Sequence, residues 1–121
     1  MRRAVRERLT RVFGAQVRNS YGASEFLPIA WECAHGHLHV NEDWVLLEPV
    51  DERHRPVPPG QPSHSVLLTN LANLVQPLIR YDMGDQLTLR ADRGACGSAR
   101  PVIEVEGRGD DVLRVPARRP G

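Results

Sequence analysis

Residues 4–13, AVRERLTRVF, set Val5, Leu9, Val12 and Phe13 at helical spacing with arginines between them, and Gly14 follows as a stop. This spacing predicts one amphipathic helix, its apolar side packed on a core and its arginine-rich side solvated rather than laid on a membrane. Beyond Gly14 the period changes. Short runs of β-formers alternate with turn residues: AQVRNS (15–20), FLPIAWE (26–32), HLHVN (37–41), WVLLEPV (44–50), HSVLLTNL (64–71), PLIRYD (77–82), QLTLR (86–90) and PVIEVEG (101–107). Between the fourth and fifth runs, DERHRPVPPGQPS carries four prolines and a glycine, which predicts the exposed loop of a long hairpin with Pro58 and Pro59 off the ladder. The fold class expected is α+β, mostly β: a short N-terminal helix followed by antiparallel hairpins. The tail PARRPG has no apolar residue after Ala117 and is expected to fray.

Composition narrows the picture only modestly. A chain of 121 residues, 40% hydrophobic and 26% charged, is ordinary for one globular domain or part of a larger one. No apolar run is long enough to span a bilayer and no secretory leader is visible, so a cytoplasmic location is expected, without a membrane partner. The net charge of +1 carries no electrostatic footprint for nucleic acid, even though all sixteen Lys and Arg positions are arginine. Cys33 and Cys96 are far apart and expected to be free thiols. Trp31 and Trp44 are expected in the core or on a hairpin face.

Candidate chemistry begins with YGASE, residues 21–25. Tyr21 offers a flat face for a base, Gly22 admits a ligand to the backbone, Ser24 can donate to a phosphate oxygen, and Glu25 is a hard oxygen ligand of the kind Mg²⁺ prefers. A Tyr-Gly strand end before a polar turn can equally be an ordinary β feature. A second stretch, RYDMGD at 80–85, puts Asp85 after a glycine turn. There a carboxylate can accept both hydroxyls of a ribose, or can bond its own backbone. A third, EGRGDD at 106–111, supplies Arg108 and Asp110 on a glycine-flanked segment.

In this order the three stretches resemble the adenylate-forming superfamily of acyl-CoA synthetases, luciferases and peptide-synthetase adenylation domains. YGASE is similar to its aromatic-Gly-x-Thr-Glu motif, RYDMGD to its Arg-aromatic-x-x-Gly-Asp motif, and GRGDD to its Gly-Arg-x-Asp hinge. The intervening EC, GHLHV, LLEPVD, VPPG, VLLTNLANLVQPLIRYDMGD and CGS are closest to the phenylacetate-CoA ligase branch. The resemblance covers about Gln16 to Leu113. It implies that residues 1–121 are part of an AMP-binding domain, within a β-barrel-like subdomain of the family's large domain. It also implies the nucleotide ATP/AMP, Mg²⁺, coenzyme A as co-substrate and a small-molecule carboxylate. By position, Tyr21 with Gly22 would bind adenine, Ser24 would contact the α-phosphate and Glu25 would hold Mg²⁺. Asp85 and Arg108 would bind the ribose, and Asp110 would sit at the hinge. Serine replaces the family's usual threonine at 24 and keeps the hydroxyl.

Two family features are missing from this sequence: the phosphate loop expected upstream of Tyr21, and the C-terminal domain whose lysine contacts the reacting carboxylate. The expectation is therefore a fragment inactive alone, partnered by the remainder of a ligase or by its own copies. The alternative is a non-catalytic β-module with a structural or protein-contact role, zinc-stabilised in one version. For zinc, Cys33, His39 and Cys96 are the candidate ligands, with His35 and His37 nearby. Gly94 stands where a C-x-C pair would need its first thiolate, and zinc with two thiolates needs two histidines as well. The favoured expectation is that His37 and His39 share one face of a hairpin strand.

Overall fold

The computed structural model describes residues 3–108. One helix, α1 (Arg3–Phe13), precedes eight strands: β1 (Ser20–Tyr21), β2 (Ala30–Glu32), β3 (Leu38–Val40), β4 (Val45–Val50), β5 (Ser65–Asn70), β6 (Tyr81–Asp82), β7 (Asp85–Leu89) and β8 (Val102–Arg108). The class is α+β, mostly β, and each β-prone run of the sequence contributes one strand except AQVRNS, of which only Ser20 lies in β1. All pairings are antiparallel. The barrel-like subdomain takes the form of two sheets, a five-stranded one in the order β1-β2-β3-β8-β7 and a three-stranded one in the order β4-β5-β6. No described helix is long and apolar enough to cross a membrane. Asp110, Asp111 and the tail lie outside the described residues.

The core explains why these runs form strands. Ile29, Ala30, Val40, Leu87 and Ile103 from the larger sheet and its connections meet Val45, Val66 and Leu68 from the smaller, with Met83 on the link between β6 and β7. β5 sits between β4 and β6 with both faces covered, so its apolar run does not alternate. β4 and β5 pair over their whole length, from Val45 opposite Asn70 to Val50 opposite Ser65. The proline-rich loop joins them as the sequence predicts.

Two departures have identifiable causes. PLIRYD pairs only at Tyr81–Asp82, because Arg80 takes a left-handed φ of 50° and gives its N–H to the Thr69 hydroxyl at 3.0 Å rather than to a strand. Helix α1 does not bury its apolar side: Val5, Val12 and Phe13 are exposed, and no residue of the helix is buried. Its side-chain tie is polar, Arg6 Nη2 donating to Glu32 Oε1 at 2.7 Å, while the other oxygen of the buried Glu32 accepts the Asn19 N–H at 2.6 Å. Of the two places expected for the tryptophans, the core and a hairpin face, Trp31 takes the second, on the β2–β3 hairpin, and neither is in the core. Trp31 is 42% exposed on β2 and Trp44 is 52% exposed ahead of β4.

Candidate functional site

Tyr21 ends β1 and Asp85 begins β7, at opposite edges of the five-stranded order, yet their side chains meet. The Tyr21 phenol donates to Asp85 Oδ2 at 2.6 Å, and Arg108 Nε approaches Asp85 Oδ1 at 3.5 Å. The larger sheet therefore curls until its two edge strands touch through side chains. Local backbone chemistry sets this up. Asp85 lies directly across from Arg108 in the β7–β8 ladder, and a bulge next to the pair, where Gln86 faces Gly107 but Leu87 faces Val105, re-aims the strand end. Gly107, at φ 122°, supplies the backbone conformation there.

The electrostatics follow from burial. Asp85's side chain is only 13% exposed, so its charge needs both partners. Burial pushes the Tyr21 phenol up, the bond to Asp85 adds to it, and the nearby Arg108 opposes weakly, so Tyr21 remains a donor throughout the ordinary pH range. Each Asp85 oxygen engages one protein group and keeps a further lone pair for hydroxyl donors.

Ser24 and Glu25 sit at the tip of a tight turn closed by reciprocal backbone bonds, Ala23 N–H to Phe26 O at 3.0 Å and Phe26 N–H to Ala23 O at 3.1 Å. Gly22 is required before it: a Cβ there would lie 2.0 Å from the carbonyl oxygen of Leu27. The two exposed side chains look into a cleft of about 200 Å³ shared with Asn70, Asn73, Gln76 and Leu78. Tyr81 donates to Glu25 Oε1 at 3.0 Å and so ties this turn to β6, a role sequence reasoning did not give it; its place inside RYDMGD was the only signal. That bond, followed by the charge of Glu25, pushes the Tyr81 phenol up. Behind the glycine turn, Ser65 donates to Asp82, and Gly84 N–H bonds both the Ser65 hydroxyl at 3.1 Å and Asp82 Oδ1 at 3.0 Å, an anchor also missed. Ser65 lowers Asp82 most, outweighing burial, with Gly84 and His54 adding to it.

YGASE and RYDMGD are thus brought together, Tyr21 to Asp85 and Glu25 to Tyr81, with Arg108 joining from β8. Asp110 falls outside the described residues. A hollow of about 740 Å³ lies elsewhere among the described residues, between Asp51, Arg53, Arg55, Ser63, His64 and Glu106, and is lined by neither Tyr21 nor Asp85. It is an open, charged groove at the proline-rich loop without an aromatic wall, so convergent side chains locate the site better than concavity does.

The zinc candidates also converge. His37 precedes β3, in the turn around Gly36 (φ 79°), whereas His39 is on β3 and fully buried. Cys33, His39 and Cys96 each present a ligand atom within 4.8 Å of the others, and Cys96 Sγ is 3.0 Å from His39 Nε2. Both cysteines are free thiols, as expected. Burial pushes the Cys33 thiol up, but the backbone N–H groups of His37 and His35, with His39 and Cys96, outweigh it and bring it down to about 6.

No protein-family model and no curated protein matches the chain. Solved structures do. A 2-hydroxyisobutyryl-CoA ligase in the postadenylation state, in complex with 2-HIB-AMP, is similar over 93% of this chain at 25% identity, with a TM-score of 0.80. An open conformation of the same ligase, in complex with 2-HIB-AMP and CoA, is similar over 93% of the chain with a TM-score of 0.77. The chain spans about a quarter of the length of the first of these, 25%. These neighbours support the adenylate-forming superfamily for this fold.

Proposed function

We propose that the chain is the adenosine-contacting part of an AMP-forming acyl-CoA ligase similar to phenylacetate-CoA ligases. The carrying observation is the bond between the Tyr21 phenol and Asp85 at 2.6 Å, with Arg108 on the carboxylate's other oxygen: a ring and a supported acid at one place, drawn from motifs 64 residues apart. A nucleotide whose ribose hydroxyls donate to Asp85 would lay its base along the Tyr21 ring, with Arg108 beside the sugar. Its α-phosphate would run toward the Ser24 hydroxyl.

Glu25 suits a hard cation. Its carboxylate is exposed, takes the Tyr81 bond on Oε1, and keeps the second oxygen available among the described residues; Mg²⁺ commonly takes one or two carboxylates and completes its shell with phosphate oxygens and water. Bound there, Mg²⁺ would neutralise charge as a carboxylate attacks the α-phosphate. Ser24 would orient the phosphate while Asp85 and Arg108 fix the sugar. Turnover also needs positive donors at the leaving pyrophosphate. Losing one preorganised donor commonly costs about a hundredfold or more in rate, so residues 1–121 alone are expected to bind without turning over.

Isothermal titration of the chain with AMP and with a non-hydrolysable acyl-adenylate tests this. Binding of AMP that needs no magnesium and is lost in Asp85→Ala supports the proposal. The absence of heat with either ligand overturns it in favour of a non-catalytic β-module.

A further inference from the structure

We propose that Cys33, His39 and Cys96 bind a structural zinc ion, independently of the nucleotide site. Their ligand atoms lie within 4.8 Å of one another. Two thiolates on tetrahedral zinc stand about 3.8 Å apart, given Zn–S bonds of about 2.3 Å, so the cluster needs only a small inward shift to close on a metal. The donor set of two sulfurs and one imidazole is soft to borderline, the choice of zinc and not of magnesium or calcium.

The surroundings are arranged for ligation. His39 is fully buried, and its Nδ1 lies 3.2 Å from the backbone carbonyl of Arg100. A carbonyl can only accept, so Nδ1 carries the proton and Nε2, the atom 3.0 Å from Cys96 Sγ, presents its lone pair to the cluster. Donation of the second ring N–H to a carbonyl is the usual orientation of a metal-bound histidine. Cys33 directly follows β2, and its N–H donates to the His37 carbonyl at 2.9 Å, which closes the β2–β3 turn and holds the thiol beside His39. Zinc with two thiolates and a neutral imidazole has no net charge, which a buried site requires. On binding, the two thiol protons leave to solvent and two Zn–S bonds and one Zn–N bond form, with no redox change.

The ion would tie three segments together: the end of β2, strand β3, and the 91–101 connection, which has no regular strand and leads directly into β8. Two thiolates and one imidazole leave a fourth tetrahedral position, which water would take in place of the second histidine that a closed site has. Gly94 cannot fill it, since even a Cβ there would come within 2.8 Å of the His37 ring. This placement sets the metal's role apart from the Mg²⁺ that Glu25 would hold.

The test uses the whole chain, purified without chelator after growth with zinc. Elemental analysis is expected to find about one zinc per chain, and cobalt exchange should give thiolate-to-cobalt charge-transfer absorption that Cys33→Ser and Cys96→Ser each weaken. His39→Ala should lower zinc affinity at least tenfold in competition with a chelating dye. Because cysteine variants can fail to fold, the wild-type chain is also titrated with a thiol reagent: two thiols should be protected until chelator is added, with a fall in melting temperature on chelation. Metal-free protein with two freely reactive thiols and unchanged melting on chelation overturns the proposal, as does a mass lower by two hydrogens, which means a Cys33–Cys96 disulfide. AMP binding does not enter these readouts, so the nucleotide proposal and this one fail separately.

Discussion

Replacing Tyr21 by Phe removes one oxygen and keeps the ring, which makes it the cleanest perturbation of the candidate site. The lost group donates at 2.6 Å to a carboxylate whose side chain is 13% exposed. Hydrogen bonds to charged groups contribute about 1.5–3 kcal/mol, and the lower half applies because Asp85 keeps some access to water. Arg108 compensates little, since its contact is 3.5 Å long and its own side chain is 65% exposed. The variant should be destabilised by about 1.5–2 kcal/mol, a fall of roughly 6–8 °C in melting temperature for a domain of this size. Thermal and urea unfolding followed by circular dichroism reads this directly. A double-mutant cycle with Asp85→Ala should return most of that energy as coupling, because either single change breaks the same bond. The AMP dissociation constant of Tyr21→Phe should rise roughly tenfold, since an Asp85 carboxylate no longer pinned loses about 1.4 kcal/mol of preorganisation. Melting within about 2 °C of wild type, together with coupling below about 0.5 kcal/mol, would refute the reasoning, because the edge strands of the large sheet would then not be joined in solution.

Other consequences are simpler to state. Gly22→Ala forces a Cβ against the Leu27 carbonyl at 2.0 Å, backbone that cannot rotate away, so it should cost about 3 kcal/mol or more and lower the urea midpoint. Leu68→Ala empties a fully buried position on the central strand of the smaller sheet and should cost about 2–5 kcal/mol by the same assay. By contrast, Leu74→Ser and Val75→Ser change residues that are 89% and 97% exposed; stability should stay within about 0.5 kcal/mol, while sedimentation should show less self-association. Asp51 is lowered to about 2, mainly by the Arg55 backbone N–H against an opposing effect of burial, with the Arg55 side chain and the Arg53 N–H adding to it. Because the folded value lies below the unfolded one, its stabilising contribution is complete above the ordinary aspartate range and is lost as the pH falls from about 4 to about 2. Asp51→Asn should flatten melting temperature against pH across that window.

The strands were legible because each apolar run is short, rich in β-branched residues and bounded by turn formers, so local sequence and sheet agree. Boundaries failed where a single backbone conformation overrode side-chain character: Ile79 reads as strand, but the left-handed Arg80 ends the pairing before it. The helix was legible as a helix and not as an exposed one, since amphipathic spacing states which side is apolar and not whether anything lies beneath it. Tyr21 and Asp85 show a different limit. Neither residue's own surroundings point to the other, and an Asp after a glycine turn reads first as a turn; only the ordered resemblance of three motifs put them in one place, while the curl of the sheet that joins them has no local signature. The sulfur–histidine cluster is the reverse case, in which residue type pointed to ligands while local spacing pointed away from them. Gly94 breaks the cysteine spacing, and a period of two pairs His37 with His39, so the sequence argues against a metal. The turn at Gly36 removes His37 from the strand, the Arg100 carbonyl fixes the His39 tautomer, and the 91–101 connection folds Cys96 back across 57 residues onto Nε2. Residue type alone had singled out Cys33, His39 and Cys96 as candidate ligands, but with one thiol per segment no spacing joined them, and only distances show that the three meet.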